Sequence, residues 1–190
     1  MTYASAPNKS NRYARAQICR SRHCHWGRSR RVMAWNSPIQ SIFMTHTAAP
    51  AFAERIRASF MRQNAMALIQ ATLPVIEPGH TEIHLPVWSG VEQQHGFVHG
   101  GVVGMIADSA AGYAAMTLVP ASTSVLTVEY KLNLLAPADG ETMIARGRVV
   151  RPGRTLIVTQ AEVFAVKDGH ETLCALMQQT IMVMHDKVEK

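Results

Sequence analysis

The sequence has few cysteines, no long apolar run and no acidic residue near its start, and each shortage limits what the protein can be. Three cysteines among 190 residues do not form a disulfide framework, so a reducing cytoplasm is the expected compartment. No apolar stretch approaches the ~20 residues that cross a bilayer, which argues against a membrane-spanning protein. Hydrophobic residues make up 47% of the chain, enough for the core of one domain.

Residues 1–43 contain eight Lys and Arg residues and no Asp or Glu. The other 147 residues hold 11 basic and 13 acidic residues and so have a net charge of −2, although the whole chain has +6. The basic balance therefore belongs to the first segment alone. The rest of the chain has no electrostatic footprint for nucleic acid, and neither nucleic acid nor a membrane is an expected partner.

Residues 1–44 are predicted to be a basic, disordered extension, because they are rich in Arg, Ser and Asn and lack apolar periodicity. A transit peptide, a metal site around Cys19 and His25, and a tail that binds nucleic acid or anionic lipid are alternatives. The preferred interpretation is an over-extended start, because Met44 could begin the protein. Residues 45–190 are predicted to form the folded domain.

Apolar periodicity predicts two helices and an early hairpin. Residues 51–70 have the spacing of an amphipathic helix that Pro74 terminates. Residues 73–76 and 80–88 alternate as two strands around a Pro-Gly turn. Residues 99–118 are apolar on nearly every face, so this second helix must be buried.

Four further strands complete the predicted domain, and the turns between them, including that at 136–140, have the composition that joins antiparallel neighbours. The first strand alternates apolar with polar residues and places Thr127 on its polar face. Because strands and helices do not alternate as βαβ units, the fold class is predicted as α+β, an antiparallel sheet wrapped around one long buried helix. The four predicted strands are Val125–Leu134, Thr142–Val150, Thr155–Val166 and Thr172–Met184.

The start of the buried helix carries the most informative residues. Gly100 and Gly101 let a loop run tightly into the helix, whose first N–H groups have no internal partner and lie at the positive end of the dipole. Such N–H groups can stabilise the oxyanion of a reacting carbonyl. Asp108 lies in the middle of the same apolar helix, where a carboxylate is costly unless it is paired or faces a cavity.

Gly100 and Asp108 cannot act on one carbonyl from the same helix. Eight residues separate them, which corresponds to ~12 Å along a helix axis. If both residues are catalytic, they must come from different subunits whose helices lie side by side and antiparallel. The spacing thus predicts a two-fold dimer with active sites at the interface.

These residues resemble the hotdog-fold acyl-CoA thioesterases of the phenylacetyl-CoA thioesterase (PaaI) and 4-hydroxybenzoyl-CoA thioesterase type. The resemblance covers roughly residues 50–185. Its anchor is a His-Gly-Gly triplet followed by an acid nine positions after the histidine. The matching features are His99-Gly100-Gly101, Asp108, Gly96, Gln93 and the strand end Lys131–Ala138.

The resemblance implies a role for each candidate site residue. The Gly100 amide would polarise the thioester oxygen with help from Gln93, and Asp108 would attack the carbonyl or activate water. Some members carry a hydroxyl one turn after the acid, where this chain has a glycine; others carry it on the next strand, where Thr127 lies. His99 is either an acid–base group or a hydrogen-bonding support for the glycine loop.

The predicted function is therefore hydrolysis of an acyl-CoA thioester, with an aromatic or a short- to medium-chain acyl group, by a homodimer or homotetramer. No metal or redox cofactor is expected. One alternative is a hotdog hydratase or dehydratase of 3-hydroxyacyl substrates, which usually needs a histidine and an acid on one helix. The other alternative is a non-catalytic acyl-CoA-binding regulator, against which the acid at Asp108 argues.

Overall fold

A computed structural model describes residues 49–185 and residue 187, so the predictions made for residues 1–44 lie outside the described part of the chain. The predicted order of helices and strands is confirmed. The elements are α1 (Ala49–Met61), α2 (Asn64–Leu68), β1 (Thr72–Glu77), β2 (His80–Pro86), a 3₁₀ turn (Ser89–Val91), α3 (Gly100–Met116), β3 (Ser124–Leu134), β4 (Thr142–Arg151), β5 (Leu156–Lys167) and β6 (His170–Met184).

The strands within residues 72–184 form one antiparallel sheet in the order β1-β2-β4-β5-β6-β3. The predicted antiparallel α+β architecture is therefore confirmed. The turn at 136–140 does not join neighbouring strands, contrary to the sequence prediction, because β3 lies at the far edge of the sheet beside β6. The Leu135 N–H donates to the Cys174 carbonyl at 2.8 Å and holds the end of β3 there.

The long helix α3 packs against one face of this sheet, and most of its side chains are buried. Small residues allow a close approach. A Cβ added at Gly147 on β4 would lie 2.3 Å from the Ala110 backbone carbon, so this position requires glycine. On β2, buried Thr81 donates its hydroxyl proton to the Ala110 carbonyl at 2.7 Å. In the region that the structure describes, no helix is long and apolar enough to span a bilayer.

The predicted helix over 51–70 is two helices, α1 and α2, and Pro74 lies inside β1 rather than at a helix end. The Arg62 and Gln63 N–H groups bond to carbonyls three residues back, and Gln63 then adopts an extended conformation with φ −77° and ψ 93°. The first helix therefore ends before Gln63, and Pro74 does not terminate it. The α1 side chains Ile56 and Phe60 are buried, and the Phe60 ring meets Tyr113 of α3 edge-on.

Candidate active site

The loop before α3 ends at His99, which is the N-cap of the helix. The His99 Nδ1 accepts a hydrogen bond from the Gly101 N–H at 2.9 Å, so the neutral ring carries its proton on Nε2. Its backbone carbonyl accepts from the N–H groups of Val102 and Val103. The His99 side chain is exposed, and its Nδ1 is used in the N-cap hydrogen bond. This is the arrangement expected for a support of the glycine loop.

Because His99 caps the second helical N–H, the first one, that of Gly100, remains without an acceptor among the described residues. It lies at the positive end of the α3 dipole. A cavity of about 170 Å³ adjoins it and is lined by Gln93, Leu134 and Cys174 among others. This cavity is called the Gly100 cavity below.

Gln93 reaches the Gly100 cavity from a tight turn. Its Oε1 accepts the His95 N–H at 2.7 Å, and its backbone carbonyl accepts the N–H of Gly96, whose φ of +79° suits glycine. The Gln93 side chain is thus held at its oxygen, and its Nε2 donates to no group in residues 49–185. The structure therefore brings Gln93 and Gly100 to one cavity.

Asp108 projects from the middle of α3, where its two carboxylate oxygens have different surroundings. Oδ1 accepts the Thr127 hydroxyl proton at 2.8 Å and is also contacted by the Gln179 side-chain amide. The same Gln179 Nε2 donates to the Thr127 Oγ1 at 2.7 Å. Oδ2 has no hydrogen-bond partner within the described part of the chain. One oxygen is therefore anchored and the other is available.

Gln179 was not among the residues singled out from the sequence. It lies on β6 with no solvent exposure, and its Oε1 accepts the hydroxyl proton of buried Thr159 at 3.2 Å across the β5–β6 pair. A sequence signal does exist. The inward positions before and after it on β6, Met177 and Ile181, are apolar, so a glutamine there interrupts the apolar face.

A second cavity, of about 230 Å³, lies between α3 and the first half of β3. Asp108 and Thr127 both line it, so the acid is half-buried beside open space rather than sealed in the core. A Cβ added at Gly112, one helical turn after Asp108, would meet no atom within 4 Å. Position 112 thus leaves room in the cavity, and the hydroxyl that contacts Asp108 is that of Thr127. This cavity is called the Asp108 cavity below.

The Gly100 cavity and the Asp108 cavity are separate in the single chain. Helix α3 runs unbroken through both residues, so the ~12 Å separation expected from eight helical residues applies. The carbon–oxygen bond of one carbonyl is far shorter than this distance. Gly100 and Asp108 of one chain therefore cannot contact the same carbonyl group.

On strand β3 the face that carries Thr127 is turned toward helix α3, whereas an alternating strand usually turns its apolar face inward. Thr127 points toward α3 and Asp108, whereas the apolar side chains of Leu126, Val128 and Tyr130 are about half exposed, at 57%, 52% and 49%. A shift in the β3–β6 register between Thr127 and Glu129 accompanies this arrangement. Because β3 is one of the two edge strands, it presents both apolar side chains and unpaired backbone groups on the surface of the chain.

A charged cluster lies on the opposite face of the sheet, away from α3. Glu171 accepts two hydrogen bonds from the Arg146 guanidinium, which hold the pKa of this carboxyl below its ordinary value. Burial of Glu82 opposes ionisation, but the hydrogen bond from His84 and the charge of Arg146 outweigh it and lower the Glu82 pKa. The two carboxylates in turn raise the Arg146 pKa. The Arg146 guanidinium is thus bound to Glu82 and Glu171, and this pairing leaves it poorly placed to bind CoA phosphates.

Other chemistry near the site is limited among residues 49–185. No group of three His, Cys, Asp or Glu side chains in this region is arranged to hold a metal ion. Cys174 lines the Gly100 cavity, but burial raises the pKa of its thiol to about 11, and its Sγ faces the Val163 carbonyl. Its thiolate population near neutrality is therefore small.

Comparisons with known proteins identify the family of this chain. The thioesterase superfamily model matches residues 95–172, which include the His-Gly-Gly triplet and Asp108. A thioesterase family protein from Silicibacter pomeroyi is 44% identical, with a TM-score of 0.69 over 70% of this chain and 98% of its own. PaaI of the E. coli phenylacetic acid degradation operon has a TM-score of 0.65 over 73% of this chain and 96% of its own; at 16% identity this shows a shared fold.

Among curated proteins, the 1,4-dihydroxy-2-naphthoyl-CoA hydrolase of Listeria monocytogenes is 28% identical over 57% of this chain and 85% of its own length. The matches to two Saccharolobus solfataricus proteins, at 33% and 30% identity, span 66% and 71% of those proteins. The resemblance drawn from the sequence motif is thereby confirmed. The chain belongs to the thioesterase superfamily, and it is a thioester hydrolase with the hotdog fold.

Proposed function

We propose that the protein hydrolyses an acyl-CoA thioester to a free acid and CoA, at active sites shared between the two subunits of a homodimer. In each site the Gly100 amide of one subunit would polarise the carbonyl, and Asp108 of the second subunit would carry out or assist the attack. Pairing of two such dimers into a homotetramer would leave these sites unchanged. The observation that carries the proposal is the separation of two complementary half-sites along one continuous helix.

The Gly100 half-site has the properties of an oxyanion donor. Its N–H has no acceptor in residues 49–185, it lies at a helix N-terminus, and it opens into a small cavity. A donor fixed before the reaction stabilises the developing negative charge without reorganisation. Gln93 faces the same cavity with a side-chain N–H₂ available as a second donor.

The Asp108 half-site has the properties of a nucleophile or a general base. Its Oδ2 lacks a partner among the described residues, whereas its Oδ1 is held by Thr127 and Gln179. Direct attack on the carbonyl carbon and removal of a proton from an attacking water would both use Oδ2. In the general-base course Asp108 takes a proton from water, the water oxygen adds to the carbonyl, the C–S bond breaks, and the proton passes to the departing CoA sulfur. In the nucleophilic course Oδ2 displaces CoA, whose sulfur takes a proton from solvent, and water then hydrolyses the mixed anhydride to the free acid and restores Asp108.

Strand β3 supports a second copy of this chain as the partner that completes the site. It is an edge strand with exposed Leu126, Val128 and Tyr130, and it borders the Asp108 cavity. Antiparallel pairing of two β3 edges about a two-fold axis would extend the sheet and cover these side chains. The same axis would place the two α3 helices side by side, with the N-terminus of each near Asp108 of the other.

The substrate class follows from the chemistry of the relatives and of the surface. The relative from Listeria monocytogenes is named as a hydrolase of an aromatic acyl-CoA, so aromatic acyl groups are proposed here together with short- and medium-chain ones. Arg151 and Arg154 at the end of β4 are exposed and form no ion pair with a described carboxylate, so they are candidates for contacts with CoA phosphates. A hotdog hydratase usually needs a histidine and an acid on one helix, and α3 carries Asp108 but no histidine between Gly100 and Met116, which disfavours a hydratase.

Release of free CoA from a panel of aromatic and straight-chain acyl-CoA substrates tests the proposal. Asp108→Asn should lower kcat by roughly 10²- to 10⁴-fold for every substrate, because the amide neither attacks nor accepts a proton from water. Asp168→Asn is the matched control, since Asp168 lies in an exposed turn at a φ of +50° that asparagine tolerates. An Asp108→Asn variant as active as Asp168→Asn would refute the proposal.

A further inference from the structure

We propose that Gln179 is a positioning residue for this hydrolysis, one that orients Asp108 so that Oδ2, and not Oδ1, faces the reacting carbonyl. The inference rests on the proposed function, because it assigns Gln179 a role only through Asp108. The inference starts from the Gln179 side-chain amide, which is fully buried next to Asp108.

The orientation of the Gln179 amide is determined by its neighbours. Its Oε1 accepts the Thr159 hydroxyl proton at 3.2 Å, and its Nε2 donates to the Thr127 hydroxyl oxygen at 2.7 Å and contacts Asp108 Oδ1. A flipped amide would direct its oxygen at the carboxylate, placing two acceptors against each other. The Asp108 carboxylate, which only accepts, therefore selects this orientation, and the Thr159 hydroxyl donates to the amide oxygen that results.

This orientation also fixes the polarity of Thr127. Because the Gln179 Nε2 donates to the Thr127 oxygen, the single hydroxyl proton of Thr127 is directed to Asp108 Oδ1. Oδ1 thus receives donors from both side chains. Any intermediate rotation of the carboxylate would lose both hydrogen bonds, so one oxygen is held against Thr127 and Gln179 and the other remains turned away from them.

A merely structural role for Gln179 would predict a different pattern of effects. A buried amide that only satisfies the hydrogen-bonding groups of neighbouring strands contributes to stability and leaves the chemistry of Asp108 unchanged. A positioning residue lowers kcat while leaving KM unchanged, because substrate binding does not require the anchored oxygen. It also has no effect once the carboxylate that it orients has been removed.

The test is Gln179→Met, which retains an unbranched side chain of similar length but removes both hydrogen-bonding atoms. We expect kcat to fall about 10- to 100-fold, as for loss of a hydrogen bond to a charged group, with KM within about twofold of the unmodified protein. Gln178→Met is the matched control, because Gln178 is the adjacent β6 residue, is exposed and lies on the opposite face of the strand. Its kcat and KM should not change.

The same substitution in the Asp108→Asn background separates positioning from stability. Residual turnover, measured at high enzyme concentration, should be equal in Asp108→Asn and in the double variant. An equal fractional loss in both backgrounds would overturn the positioning role. If Gln179→Met does not fold, Thr159→Val takes its place in both backgrounds, with an expected loss in kcat of about 3- to 10-fold from release of the amide.

The two proposals fail in different ways. If Asp108→Asn is inactive while Gln179→Met behaves like Gln178→Met, the positioning role is wrong and the proposed hydrolysis stands. If Asp108→Asn is fully active, the proposed function is itself wrong, and the role of Gln179 falls with it.

Discussion

The Thr127 hydroxyl donates to Asp108 Oδ1 at 2.8 Å across the gap between the edge strand β3 and the central helix α3. The contact joins an acid that would otherwise be costly inside an apolar helix to β3, one of the two edge strands of the sheet. It also places the acid beside the surface through which a second subunit would complete the site. The fold therefore couples stabilisation of Asp108 to its proposed use.

Thr127→Val should lower kcat about 10- to 100-fold, because it removes a hydrogen bond to the ionised acid while keeping the shape of the side chain. Thr127→Ser retains the hydroxyl and should keep most of the activity. Steady-state kinetics of CoA release with both variants checks this expectation. Equal activity of the valine and serine variants would show that the hydroxyl has no part in turnover.

Gly100→Pro should abolish the proposed oxyanion donor without breaking α3. Proline is favoured at the first position of a helix, and the preceding residue, His99, already has the extended conformation that proline requires, with φ −61° and ψ 132°. The substitution removes only the N–H that has no acceptor in the described part of the chain. The expected loss in kcat/KM is about 10²- to 10³-fold.

Gly100→Ala is the control for this substitution. A Cβ at this position lies 3.1 Å from the Leu134 Cδ1, and alanine introduces this Cβ as proline does while keeping the N–H. The difference in kcat/KM between the two variants therefore reports replacement of the N–H by the remainder of the proline ring. Equal values for the alanine and proline variants would exclude the Gly100 amide as the oxyanion donor.

The charged cluster around Arg146 predicts a pH-dependent contribution to stability. The pKa values of Glu171 and Glu82 are lowered in the folded protein, so their contribution is present above the unfolded pKa near 4.5 and is lost as the pH falls through the folded values. Arg146→Met should therefore lower Tm near neutral pH. The loss should shrink below about pH 4 as both carboxylates become protonated in either protein.

Arg148→Met controls for the loss of a positive charge from the same strand. Arg148 donates to the neutral side chain of Gln160, and so its loss should have little dependence on pH. Thermal unfolding of the two variants across this pH range provides the comparison. A Tm difference for Arg146→Met that is constant with pH would contradict the assigned ion pairs.

Most of the fold could be predicted from local patterns, because apolar periodicity and turn residues are local properties. The position of β3 could not be predicted in this way. Residues 136–140 have the composition of a turn, but composition does not determine which strand lies beside the one that follows. The break between α1 and α2 was also missed, since Gln63 carries no helix-breaking signal and its extended conformation depends on packing.

The part of the candidate site that lies within the sequence motif could be predicted. Gly100, Gln93 and Asp108 lie within one short stretch, and the structure places the first two at one cavity and the third at another. Gln179 and Thr159 lie far along the chain and reach Asp108 only through the pairing of β5 with β6. Their polarity at inward positions was a visible signal, but its meaning depends on long-range strand register.

A subunit-mixing experiment tests the shared active site most directly. Gly100→Pro and Asp108→Asn subunits are each expected to form inactive dimers, whereas a mixed dimer would contain one site with an intact Gly100 amide and an intact Asp108. Random exchange of equal amounts should restore roughly one quarter of the activity of the unmodified protein. If mass spectrometry detects mixed dimers and the activity stays at the level of the separate variants, Gly100 and Asp108 do not act across the interface.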